Sequence, residues 1–321
     1  MPNATPPDDE HVLRPETPED FAVLFEMIEE ELAAEIAGDR DAVIRPLALL
    51  GVRYLAGHTG LRCLLHGESG SGKTTAAKSL ARVVGAPYLR VSMPDTAETS
   101  WRGADITNHV DALRRGLLRP GITSAAATHL ANRAVVLIDD MDVMRLEPFR
   151  SYSDSDQGQR AGRQMSLVGC WAGEDITIDE GAWVWSTQSV LVIGAGAFDG
   201  AEEPLDAAAL IQWGLLPPLA ERIATGSMVH MPRLTSADLC AVAGHEAAQL
   251  CTPAFEAFGY TLIIAAQAVR HAVIVARTRD SGAGVRAVTG VLRRAADRRL
   301  IRMVSVGTPV GIEVTLAPDD L

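Results

Sequence analysis

The sequence predicts an α/β protein, a parallel-sheet domain followed by a smaller, mostly helical one. Three observations carry that expectation. Between residues 61 and 193, short apolar runs alternate with helically patterned segments, as in a parallel sheet covered on both faces. A glycine-rich turn joins the first apolar run to a helix. After Pro232 the pattern changes to long helical periodicities.

Taken in order, residues 1–18 are rich in Pro, Asp and Glu and read as a flexible tail. Residues 19–37 place Phe21, Leu24, Phe25, Ile28, Leu32 and Ile36 on one side of a helix, which either packs on its own domain or binds a partner. Gly38 ends that run, and a second helix is expected over 41–55. Strands are expected at 61–66, 88–92, 134–138 and 190–193, with helices at 73–84 and 107–118. Farther on, helices are expected at 236–250, 262–276 and 285–302, the first opening at Ser236 and Asp238, and a strand at 310–316.

The chain of 321 residues is 47% hydrophobic and 22% charged, an ordinary globular composition able to bury a sizeable core. Its formal net charge of −12 argues against a nucleic-acid-binding face, which needs clustered Lys and Arg. The Arg-rich stretch at 293–302 has the spacing of a helix's solvated side. Cys63, Cys170, Cys240 and Cys251 lack C-x-x-C spacing, so neither a zinc site nor a disulfide framework is expected, and isolated thiols suit a reducing cytosol. No signal sequence is read at the N-terminus, and the longest apolar stretch, 260–276, is broken by Gln267, Arg270 and His271. The expectation is a soluble, cytoplasmic protein with neither nucleic acid nor membrane as partner.

Residues Gly67, Glu68, Ser69, Gly70, Ser71, Gly72, Lys73 and Thr74, followed by Thr75, fit G-x-x-x-x-G-K-[ST] between a strand and a helix. This is a P-loop: the glycines let backbone N–H groups turn inward around phosphates, and the helix N-terminus adds partial positive charge. Lys73 is expected on the β- and γ-phosphates and Thr74 on Mg²⁺, with ATP or another nucleoside triphosphate as ligand. A second element, Val135-Val136-Leu137-Ile138-Asp139-Asp140, is an apolar strand ending in two acids. Asp139 is expected to hold Mg²⁺, and Asp140 to orient and deprotonate the attacking water.

With what surrounds them, these residues resemble the AAA+ ATPases, and within them the ClpX unfoldase subgroup, over residues 36–300. Ile36-Ala37-Gly38-Asp39-Arg40-Asp41-Ala42 is similar to a V-I-G-Q-x-x-A segment lining the adenine pocket, which implicates Ile36. Ser100-Trp101-Arg102-Gly103-Ala104-Asp105 stands where ClpX has G-Y-V-G-E-D, a pore loop whose aromatic grips polypeptide; Trp101, Arg102 and Gly103 are the counterparts. Gly162-Arg163-Gln164-Met165-Ser166-Leu167-Val168 resembles G-V-Q-Q-A-L-L, and the run from Val190 to Phe198 resembles a strand ending G-G-A-F. Leu210-Ile211-Gln212-Trp213-Gly214-Leu215-Leu216-Pro217-Pro218-Leu219-Ala220-Glu221-Arg222 is similar to L-I-x-F-G-L-I-P-E-F-x-x-R, which makes Arg222 the arginine finger reaching a neighbouring subunit's γ-phosphate. Gly282-Ala283-Gly284-Val285-Arg286 stands near G-A-R-G-L-R, one residue short, and Arg286 is the substitute for the sensor-2 arginine.

The resemblance implies a P-loop NTPase fold of AAA+ type: an N-terminal segment over 1–40, a large ATP-binding domain over 41–232 and a small helical lid over 233–321. It implies a homo-oligomeric ring, a hexamer, remodelling an unidentified protein client. Departures from the pattern are equally specific. Asp140 replaces a glutamate, Gly194-Ala195 stands where a polar sensor residue is usual, and the zinc module and the peptidase-docking loop are lacking. No peptidase partner of ClpP type is therefore expected. A slowly hydrolysing ATP-dependent switch or scaffold is the competing reading.

Other features carry less. His245-Glu246 starts H-E-x-x-H, but Gln249 stands where the second His is needed. Gly194-Ala195-Gly196 follows a strand without completing a dinucleotide fingerprint. Trp183 and Trp185 alternate as on a core-facing strand, and residues 153–156 read as a solvated loop.

Overall fold

The computed structural model describes residues 17–36, 39–93, 104–147, 155–178, 181–280 and 284–321. The chain divides into two compact units. One runs to His230 apart from the short segment Gly67–Lys73, which groups with Met231–Leu321 in the other.

The first unit is built on five parallel strands in the order β2-β3-β6-β1-β7. These are β1 (Arg62–His66), β2 (Tyr88–Ser92), β3 (Val135–Asp139), β6 (Leu191–Gly196) and β7 (Ser227–His230). Every residue of β1, β3 and β6 is buried, which is why their middles are apolar, with Arg62, His66 and Asp139 as buried polar residues at strand ends. A hairpin of β4 (Asp175–Ile178) and β5 (Trp183–Ser186) buries Trp183 and Trp185 on alternate positions.

Helix α1 (Pro18–Glu35) starts at a capping box in which Thr17 and Asp20 exchange side-chain and backbone hydrogen bonds, both 3.1 Å. It packs on α2 (Arg45–Leu55) through buried Leu24, Ile28 and Leu32. A π-helical turn, Arg40–Ile44, opens the segment expected as one helix from 41. Then come α3 (Lys73–Val83), α4 (Ala104–Leu117), α5 (Ser124–Ala131), α6 (Ser155–Ala172), α7 (Ala207–Trp213) and α8 (Pro217–Ala224). Ser155 and Asp156 open α6 instead of lying in the expected loop, while Ser153 and Asp154, like the tail to residue 16, are outside the described residues.

The second unit holds α9 (Ser236–Ala257), α10 (Ala266–Arg279), α11 (Val285–Ser305), and β8 (Thr261–Ile264) beside β9 (Glu313–Leu316). Two expectations are corrected here. The helix expected at 262–276 begins with a strand, because Leu262 and Ile264 pair with Val314 and Leu316. The cap of α9 is Thr235, not Ser236: its hydroxyl accepts from the Asp238 N–H, and the Asp238 carboxylate accepts from the Thr235 N–H. Among the described residues, no helix is long and apolar enough to cross a membrane.

One buried cation organises the base of the sheet. Arg62, the first residue of β1 and only 5% exposed, donates to five backbone carbonyls: Leu61, Cys170, Trp171, Thr187 and Val190, at 2.8–3.2 Å. Cys170 and Trp171 lie in the last turn of α6, whose carbonyls have no partner within the helix. Burial lowers the Arg62 pKa, and the carbonyl ring supplies what water would have given.

Removing this guanidinium leaves buried acceptors unmatched. Arg62→Met is expected to lower the stability of the first unit by about 3 kcal/mol or more, read from denaturant unfolding. A second expectation concerns pH. Burial pushes the thiols of Cys63 and Cys170 up to about 12. Tyr88 also rises to about 12, through burial first and the charge of Asp139 second. Unfolded Cys and Tyr titrate near about 8.5 and 10, so the folded state holds these protons longer. Their contribution is complete below about pH 8.5 and is lost as pH rises towards 12. Unfolding free energy should therefore fall from about pH 9 upward, and at pH 8 a thiol reagent should spare Cys63 and Cys170 in the folded protein.

Candidate functional site

The turn after β1 is shaped by glycine. Gly67, Gly70 and Gly72 have φ of 140°, 80° and 95°, values that residues with a Cβ seldom adopt. A Cβ on Gly67 would also strike the Met231 carbonyl, and one on Gly70 would lie 2.8 Å from the Gly284 Cα. Gly284 is the N-cap of α11, and Arg286 sits exposed in that helix's first turn. Lys73 Nζ donates to the carbonyls of Gly67 at 2.6 Å and Glu68 at 2.8 Å. Glu68 and Ser69 are exposed, Ser71 is buried, and Glu68 faces Arg233 at 3.5 Å.

In the first unit, the structure joins Thr74 of α3 to the end of β3: Thr74 Oγ1 donates to Asp139 Oδ2 at 2.9 Å. Thr75 beside it is exposed. Asp139 is buried, and its other oxygen accepts from the Asp140 N–H at 3.1 Å. Asp140 has φ 58° and ψ 41°, a left-handed conformation that non-glycine residues adopt sparingly and that gathers at functional turns. Its Oδ2 accepts from Ser92 Oγ at 3.1 Å.

Sequence reasoning missed Arg90. Its Nε donates to Asp139 Oδ2 at 2.8 Å, and its Nη2 lies 3.8 Å from Asp140 Oδ2. Burial disfavours the Arg90 charge, and the hydrogen bond and charge of Asp139, with the charge of Asp140, outweigh it, so its pKa rises. The signal was available in the alternation of β2, where Tyr88, Arg90 and Ser92 share one face beside β3. What the sequence could not supply was the register that sets Ser92 opposite Asp139.

The structure does not draw every expected residue to these acids. Ile36 is a buried C-cap of α1, its N–H bonded to the Leu32 carbonyl. Arg222, half-buried on α8, donates to the Pro218 carbonyl at 2.7 Å. Trp101, Arg102 and Gly103 lie outside the described residues. Gly194, at the expected sensor position, has no room for any side chain: a Cβ would stand 2.5 Å from Met141 Sδ and 2.9 Å from Trp171. Nearby, Asp142 Oδ1 accepts from the Ala197 N–H at 3.1 Å.

Comparison with known proteins gives two kinds of match. Residues 63–210 match the family model described as "ATPase family associated with various cellular activities (AAA)". Two curated proteins named "ATP-dependent Clp protease ATP-binding subunit ClpX" are also similar. That of Methylococcus capsulatus is 26% identical over 160 residues, covering 44% of this chain and 34% of its own length. That of Wolinella succinogenes is 29% identical over 149 residues, covering 44% of this chain and 36% of its own length. The chain thus spans about a third of the length of the curated relatives it matches. The family match contains Thr74, Arg90, Asp139 and Asp140 and ends before Arg222 and Arg286.

The Arg90 contact makes a direct expectation. Arg90→Ala would leave the Asp139 carboxylate, 5% exposed, without its cation. Since Arg90 is itself 42% exposed, water compensates in part, and the expected loss is about 1–2 kcal/mol at neutral pH, read by denaturant unfolding in a chelator-containing buffer.

Proposed function

We propose, from the AAA match over residues 63–210 and the ClpX-like similarity, that this chain is an AAA+ protein, an ATP-hydrolysing, protein-remodelling motor that works as a homo-oligomeric ring in the cytoplasm. The observation that carries the reading is the hydrogen bond between Thr74 and Asp139, which sets a hydroxyl beside a carboxylate at the head of the helix that follows the glycine-rich turn. Such hard oxygen donors fit Mg²⁺. The left-handed glycines Gly70 and Gly72 fit a turn whose amides face phosphate.

In this reading Thr74 and Asp139 hold Mg²⁺, and the amides from Gly67 to Thr75, Glu68, Ser69 and Ser71 among them, cradle the phosphates. Bound Mg²⁺ would neutralise charge developing on the phosphate oxygens. Lys73 exchanges its two loop carbonyls for phosphate oxygens. Asp140 accepts the proton of the attacking water, and Ser92 and Arg90 aim its carboxylate. Arg222 serves the site of the neighbouring subunit, Arg286 stands for the sensor-2 arginine, Ile36 borders the base, and the loop of Trp101, Arg102 and Gly103 pulls on the client. No peptidase of ClpP type is part of the proposal.

One observation favours a slower, switch-like protein: Asp140 is one methylene shorter than the glutamate of the resembled pattern, and a catalytic group misplaced by about 1 Å can cost roughly a hundredfold in rate. Steady-state ATP hydrolysis, recorded together with assembly state, separates the two. The motor predicts clear turnover that falls at least about a hundredfold in each of Lys73→Ala, Asp140→Asn and Arg222→Ala. Tight ATP binding with negligible turnover in the unaltered chain would instead select the switch.

A further inference from the structure

The last residues of the adjacent strands β1 and β7 are both histidine, and they are register partners: His66 lies opposite His230. Their rings meet edge to face with centroids 4.9 Å apart, and their Nδ1 atoms are 3.5 Å apart. Glu203, from the segment between β6 and α7, brings Oε1 to 3.6 Å from His66 Nδ1. One ligand atom from each of the three residues lies within 4.8 Å of the other two. None of them has a part in the nucleotide chemistry proposed above.

We propose that His66, His230 and Glu203 form a binding site for one divalent transition metal of the Zn²⁺ class, with water completing its shell. Two imidazole nitrogens and one carboxylate are a donor set of open zinc sites. Metal–ligand distances of about 2.0–2.1 Å in a tetrahedron place neighbouring donor atoms roughly 3.3–3.4 Å apart. The two separations above, 3.5 and 3.6 Å, differ from that edge by a few tenths of an ångström, and the third, between His230 and Glu203, is at most 4.8 Å and is closed by turning the exposed Glu203 side chain. The surroundings also suit an ion. His66 is 6% exposed, whereas the Glu203 side chain is 63% exposed, which gives one fixed wall and one open to entering metal and water.

The chemistry sorts two cations. Imidazole prefers Zn²⁺, Co²⁺, Ni²⁺ or Cu²⁺, while Mg²⁺ seeks hard oxygens in octahedral geometry. Excess Mg²⁺ therefore does not compete here. The placement gives the ion a structural consequence. His66 and His230 are the final residues before the chain passes from the first unit into the second at Gly67 and Met231. A shared metal would tie together the two strand ends from which those crossings leave.

The full chain, stripped with a chelator, is titrated with Co²⁺ and then Zn²⁺ in excess Mg²⁺, following the visible absorption of Co²⁺ and the bound metal per chain. The expected result is one Co²⁺ per chain, displaced by one Zn²⁺, with a Zn²⁺-dependent rise in melting temperature. His230→Ala should weaken binding at least about a hundredfold and Glu203→Gln at least about tenfold, and both should abolish most of the melting shift. Because both of these side chains are exposed, melting in chelator shows directly that the variants fold, whereas buried His66 is left intact. Substoichiometric binding, or full-strength binding retained in both variants, overturns the site and leaves the hydrogen-bonded pair.

Discussion

The first unit depends on a buried positive charge that is met by carbonyl groups. Arg62 occupies the first position of β1 and satisfies carbonyls from the end of α6, from the turn after β5 and from the start of β6. A guanidinium is suited to this because its five donors fan out in one plane and its charge is weakly hydrated. Carbonyl dipoles replace the solvent shell, so the residue gathers chain segments instead of pairing with a single carboxylate. Gly226 packs against the backbone of the same residue: a Cβ there would come within 2.8–3.0 Å of Arg62 backbone and Cβ atoms.

At the opposite end of the strands the chemistry is acidic. Asp139 closes β3, and the three groups that meet its carboxylate come from α3, from β2 and from its own neighbour. A buried carboxylate needs such partners. The arrangement also explains the unusual backbone of Asp140. The left-handed turn directs its side chain back to Ser92 on the adjoining strand, at the cost of modest backbone strain. Backbone strain and the carboxylates therefore gather at the C-terminal ends of β2 and β3, while the opposite end is organised by the Arg62 guanidinium.

Much of this fold was legible from residue pattern. The run at 88–92 was expected as a strand with the bounds it has, and those near 62, 135 and 191 were expected within a few residues. Strands buried on both faces leave continuous apolar runs, and such runs can be read without knowing their neighbours. Features that need a distant partner were not legible. The strand at Leu262 was taken for helix because its companion lies about fifty residues later, at Val314. Arg90 carries no motif of its own, and only the pairing of β2 with β3 sets it beside Asp139. His66, Glu203 and His230 are three scattered polar residues in the sequence, and only the adjacency of β1 and β7 brings them together. Thr74 and Asp139, 65 residues apart, are by contrast each marked by a sequence motif, and the structure joins them by a hydrogen bond.

Gly194 has a bearing on how such a chain can change. The position is flanked by Met141, Trp171 and Leu64, all within 3.1 Å of where a Cβ would stand. These neighbours belong to three different elements and are themselves buried. A polar group could not be regained there by one substitution, because the first step, even to alanine, collides with a filled core. At least two of the surrounding side chains would have to shrink first, and each such change would open a void before it had any use. The packing therefore acts as a lock on composition: side chains from three elements fill the space that any larger residue at this point would need.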